Sequence, residues 1–208
     1  MFEAIIHGVI LAFGLILPLG VQNIFVFSQG ASQSSFLRAI PVIITAAICD
    51  TILILLAVLG VSFILLSLPR LKTIIFGGGI IFLIYMGWLI WKSEQAGESN
   101  KSKEGLSPKK QIMFAASVSL LNPHAILDTI GVIGTNSLSY SGDEKIAFTC
   151  ATIVVSWLWF FGLAIVGRSV GRIDQTGNLL KVINKLSALI IWGVAVYMGV
   201  QLVAMLIM

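Results

Sequence analysis

The 208-residue chain is 58% hydrophobic and 11% charged, with a mean hydropathy of +1.02, whereas soluble domains carry about a quarter charged residues. Membrane spans of roughly 20 apolar residues each would fill nearly all of its length, which leaves no room for a soluble catalytic domain. The formal charge of +4 does not signal nucleic-acid binding, because the cations stand in connections between apolar runs, where they meet anionic headgroups.

Six apolar segments follow one another, at roughly 4–27, 39–67, 72–91, 111–135, 146–166 and 182–207. The first begins Met1-Phe2-Glu3, has no lysine or arginine before Arg38, and continues through Pro18 to the polar pair Gln22-Asn23. A cleavable signal would start basic and end at small residues, so a retained helix is expected. Pro18, with Gly14 and Gly20 near it, removes a helical hydrogen bond beside Gln22 and Asn23. Freed backbone in a membrane either lines a cavity or is satisfied locally as a simple kink.

The second segment carries Asp50 near its middle. A carboxylate at a membrane centre costs at least ~2.5–3.5 kcal/mol, so it needs a partner or a wet cavity; the plain alternative is a packing hydrogen bond across the bundle. Cys49 beside it and Cys150 further on have apolar neighbours and no metal-ligand spacing, and are expected to be buried packing residues. Pro69 marks a turn into the third segment, where Gly77-Gly78-Gly79 suits close helix approach and does not resemble a phosphate loop. Trp88 and Trp91 with Lys92 suit an interfacial anchor.

Residues 93–110 form the one hydrophilic linker and divide the chain into halves of three segments, 1–92 and 111–208. The fourth segment holds Asn122, Pro123, His124 and Asp128. His124 and Asp128 are four apart and share a helix face, which suits a proton relay, a cation site, or a histidine that only bonds backbone. No third ligand stands nearby, so no metal site is expected, and no cofactor either. In the fifth segment, Trp157 and Phe161 offer a face for a cation or for lipid packing, beside Trp159 and Phe160.

With six spans the connections alternate sides, and ten of the lysines and arginines fall on one side against three on the other. The positive-inside rule then puts the ten in the cytoplasm and both termini outside. The halves also look alike. Pro18 and Asn23 recur as Pro123 and Asp128, each offset by 105, and Tyr85-Met86-Gly87 recurs as Tyr197-Met198-Gly199. Three spans per half force the two copies into opposite orientations. The expected fold is therefore all-α and integral to the membrane, about six transmembrane helices as two inverted three-helix repeats.

Three runs carry a family resemblance. Pro18-Leu19-Gly20-Val21-Gln22-Asn23-Ile24-Phe25-Val26-Phe27-Ser28-Gln29-Gly30 resembles the P-L-G-P-Q-N-x-F-V-x-x-Q-G signature of the LysE/ArgO basic amino acid exporters. Leu121-Asn122-Pro123-His124-Ala125-Ile126-Leu127-Asp128-Thr129 is similar to that family's L-N-P-H-x-x-L-D-T, and Ser156 to Ala164 to its S-x-L-W-F-F-G-L-A. Val21 departs from the pattern, where the family has a second proline. The resemblance implies efflux of lysine, arginine or a similar amino acid from a bacterial cell, driven by membrane potential or a proton gradient; the wider family also exports neutral amino acids.

Joined to the residues, this suggests a substrate site of Pro18, Gly20, Gln22, Asn23, Asp50, Asn122, Pro123 and Asp128. The loosened backbone would take the substrate α-carboxylate, the two aspartates its positive groups, and Asp128 with His124 a coupling proton. The partners are then an amino acid and the bilayer, with self-association open. Competing readings are efflux of divalent cations, a thiol electron carrier using Cys49 and Cys150, and an aspartyl protease. Against the last, Asp128 lacks a preceding glycine motif.

Overall fold

Glycines and prolines stand at several helix ends, Gly20, Gly60, Pro108 and Gly142 among them, while Pro41 is carried inside a helix. A computed structural model describes residues 1–17, 20–60, 77, 78, 80, 81, 83–85, 87, 88, 91, 106–120, 122, 125, 126, 129–173 and 178–207. Among these the regular structure is all helical. The first apolar segment is two helices and not one: α1 (Phe2–Ile16) and α2 (Val21–Ser32), bent by 80° from each other. Gly20 is extended, at φ −76° and ψ 168°, and α2 begins after it. Pro18 itself lies outside the described residues.

The second segment forms α3 (Phe36–Val58), whose 23 residues extend about 34 Å, enough for a bilayer core. It ends earlier than the apolar run to residue 67 suggested. Gly60 takes a left-handed φ of +74°, and its N–H closes back on the Ala57 carbonyl at 3.2 Å. A side chain at this φ is strained, so Gly60→Ala is expected to destabilise the protein by about 1–2 kcal/mol, read as a lower melting temperature in detergent.

The fourth segment is also interrupted. α4 (Pro108–Leu120) opens on a proline, which the first helical turn tolerates. A π-helix follows at Thr129–Gly134, then a single turn, α5 (Thr135–Ser137). Residues 123, 124, 127 and 128 lie outside the described set. The chain ends in two long helices, α6 (Gly142–Ile173) and α7 (Asn178–Ile207). Among the described residues α3 and α6 are long and apolar enough to cross a membrane, and α1 and α2, bent at their break, are so only when taken together. Ile146, Val154, Leu158 and Ile165 of α6 are exposed, as a lipid-facing surface requires.

α6 is the hub, packing against α1, α2 and α3. Its two ends gather different connections. Near its start, Glu144 accepts a 2.6 Å ion-paired hydrogen bond from the Met1 amine. Roughly 36 Å along the helix, Arg168 donates to the Gln33 carbonyl at 3.5 Å. There Gln33 donates to the Leu106 carbonyl at 3.0 Å and Gln111 to the Arg38 carbonyl at 2.9 Å. The N-terminus and the start of α6 thus share one end and residues 33–38, 106–111 and 168 the other.

Glycine-mediated contact occurs in a different place from the one expected. A Cβ placed at Gly77 or Gly78 meets nothing within 4 Å, and Gly79 is outside the described residues. The close seam joins α2 to α6. A Cβ at Gly167 would strike the Phe27 carbonyl, one at Gly171 the Ala31 carbonyl, and one at Gly30 the backbone of Ala164. Cys49 is buried as expected, but Cys150 is exposed on the surface of α6.

Candidate functional site

Where the two helix breaks meet α3 and α6, a cavity of about 300 Å³ opens. Ile16, Gly20, Gln22 and Asn23 line it from the first break, Asn122, Ala125 and Thr129 from the second, Asp50 from α3, and Thr152, Ser156 and Phe160 from α6. Its volume lies at the small end of ligand pockets, the right scale for a compact solute.

Asp50 is the acid in its wall. Its Oδ1 accepts from Gln22 Nε2 at 3.3 Å and its Oδ2 from Ser156 Oγ at 2.8 Å. Gln22 Nε2 also lies 3.4 Å from the Ala46 carbonyl, so one amide joins α2 to two levels of α3. One level along, Trp157 Nε1 donates to Thr51 Oγ1 at 3.1 Å. Neutral donors therefore hold the Asp50 carboxylate, and no lysine or arginine stands among the described cavity residues.

Asn23 works differently. Its Nδ2 donates to the Ile16 carbonyl at 2.7 Å, across the break between α1 and α2, and its Oδ1 accepts from Trp159 Nε1 at 3.2 Å. A carbonyl released where α1 ends is thereby satisfied by a side chain at the start of α2. α2 begins among the residues that line the cavity, with no side-chain cap from Gly20 and with the positive end of its dipole at that terminus.

Of the residues expected from sequence, Gly20, Gln22, Asn23, Asp50 and Asn122 line one cavity. Pro18, Pro123, His124 and Asp128 lie outside the described residues. Trp157 has its indole N–H engaged by Thr51, and the aromatic that lines the cavity is the buried Phe160. Sequence reasoning missed Thr129, Thr152, Ser156 and Phe160. For the last three the signal was available: Thr152, Ser156 and Phe160 recur every four residues along one face of the helix, within its apolar middle.

The model of the LysE type translocator family matches residues 13–202, which includes every element around this cavity. The chain belongs to that family. It is accordingly a membrane transport protein and not an enzyme, which displaces the protease and electron-carrier readings. It is 57% identical over 200 residues to the Putative amino-acid transporter YisU of Bacillus subtilis (strain 168), covering 96% of this chain and 90% of that one. It is 32% identical over 204 residues to the Arginine exporter protein ArgO of Pectobacterium carotovorum subsp. carotovorum (strain PC1), with 96% and 98% covered. The same identity over 204 residues holds for the Arginine exporter protein ArgO of Escherichia coli (strain K12), covering 96% of this chain and 94% of that one. No solved structure matches the chain.

Proposed function

We propose that this translocator exports basic amino acids, lysine and arginine, from the cytoplasm across a bacterial plasma membrane, driven by the proton motive force. The observation that carries the reading is Asp50, the one ionisable side chain among the described residues lining the cavity. A cavity whose charge is negative and whose other polar groups are neutral favours a cationic solute. An ammonium or guanidinium group buried without a counter-charge would cost several kcal/mol. Two of the relatives are named as arginine exporters, which agrees with a cationic substrate, while the Bacillus relative is named only for amino acids in general.

The roles follow from the groups present. The uncapped start of α2 at Gly20 and Val21 receives the substrate α-carboxylate, and Gln22, Asn23 and Asn122 bond its remaining polar atoms. Asp50 takes a positive group. Asp128, assigned from sequence, supplies the second counter-charge, and with His124 it exchanges a proton so that export is coupled to proton entry. Pro18 and Pro123 keep the two breaks open.

Two inverted repeats, 1–92 and 111–208 joined by the linker 93–110, suit this role. In such an arrangement residues that lie near the two-fold axis meet their own counterparts, so contacts there join residues separated by about the repeat offset. The Asp50–Ser156 and Thr51–Trp157 bonds each join residues 106 apart, against a motif offset of 105. Trp192 Nε1 donates to the Ile84 carbonyl, 108 residues away, in the last helix of each half. These contacts support a substrate site on the pseudo-two-fold axis, with the cation-rich connections at the cytoplasmic side and both termini outside.

The test is efflux from cells lacking the protein, preloaded with labelled lysine, arginine or leucine, with and without a wild-type copy. Export of lysine or arginine that depends on the copy is expected. Export of leucine alone would sink the basic specificity and leave a neutral amino acid transporter of the same family.

A further inference from the structure

Polar residues in an apolar membrane helix ordinarily satisfy themselves by bonding a carbonyl one turn back. The serine and threonine hydroxyls of α6 follow that habit with one exception, near the cavity. Thr149 donates to the Lys145 carbonyl at 2.7 Å, Thr152 to the Thr149 carbonyl at 2.8 Å, and Ser169 to the Ile165 carbonyl at 3.0 Å. On α4, Ser117 and Ser119 likewise bond the Met113 and Ala115 carbonyls, each at 2.8 Å. Ser156 instead turns its hydroxyl off its own helix and donates to Asp50 Oδ2 on α3 at 2.8 Å. It is only 2% exposed, and it lines the cavity.

The consequence lies in what remains on the serine oxygen. A hydroxyl has one proton and two lone pairs, and here the proton is committed to the carboxylate. An ammonium group brings three donors and no acceptor. A carboxylate oxygen and a hydroxyl oxygen 2.8 Å apart at one wall of the cavity form a paired acceptor for such a group. The same bond fixes the rotamer of Asp50, so that its charge faces the cavity already oriented for the incoming donor.

We propose that Ser156 is a specificity-determining residue of the transport site, which positions the Asp50 carboxylate and adds a second oxygen to the receptor for the substrate's positive group. This rests on the basic-amino-acid reading above. It assigns the second half of the chain a direct part in recognising the cation, through a neutral side chain.

Purified full-length protein in liposomes, assayed by counterflow of labelled lysine, separates the outcomes. Ser156→Ala is expected to raise KM for lysine about tenfold with the maximal rate within about threefold of wild type, since the carboxylate keeps its charge and loses only a donor and an acceptor. Ser156→Thr, which keeps the hydroxyl, is expected to restore most of the affinity. An unchanged KM in Ser156→Ala would overturn the proposal. So would a fall confined to the maximal rate that Ser156→Thr does not repair, because that pattern belongs to a packing residue. Wild-type liposomes that move neither lysine nor arginine would instead refute the export reading itself, and Ser156's assignment with it.

Discussion

Asp50→Asn is expected to lower export of lysine or arginine at least about 100-fold while the protein still inserts in the membrane. Asparagine has nearly the same shape, and its carbonyl oxygen still accepts from Gln22 or Ser156, so the loss isolates the charge. A hundredfold corresponds to about 2.7 kcal/mol, well within the cost of burying a cation beside a neutral amide. Efflux of preloaded amino acid, normalised to protein in the membrane fraction, gives the answer. Normal export by Asp50→Asn would remove the counter-charge role. The insertion control matters because a carboxylate that only tied α3 to α6 for packing would show its loss in folded yield instead.

The seam between α2 and α6 carries the second large effect. Gly167, Gly171 and Gly30 bring backbone against backbone, with no volume left for a methyl group. Gly167→Ala is expected to destabilise the folded protein by about 1–3 kcal/mol through overpacking, and Gly167→Leu to abolish transport. The transport loss follows from geometry: α2 carries Gln22 and Asn23 at its other end, so displacing the helix moves the site. Gly162 on the same helix is the control, since a Cβ there meets nothing within 4 Å. Gly162→Ala should leave transport unchanged and the melting temperature unchanged or slightly raised. Equal effects of the two alanine substitutions would mean that glycine's helix propensity, not the seam, governs this region.

The two breaks were legible in the sequence because proline acts locally. A proline lacks an N–H wherever the chain places it, so Pro18 and Pro123 predicted interruptions before any packing was known; α1 ends at Ile16 and the described part of α4 at Leu120, whereas Pro41 is carried inside α3 without a break. Asp50 was legible for a similar reason, as its cost in a membrane needs no knowledge of its neighbours. Lengths of helices were less so. Hydropathy carried the second segment past Gly60, whose left-handed backbone is set by the turn and not by apolarity.

By itself, then, the sequence determined the class of protein, the interrupted helices and the acid between them, since hydropathy, proline geometry and charge burial are properties of single residues or short runs. Only the tertiary structure decided which partners that acid takes and which glycines matter. Ser156 is 106 residues from Asp50, and Gly167 meets Phe27 across most of the chain. An apolar pattern does not record which helix a given face will touch, because in lipid many faces are equally apolar and close packing alone selects among them.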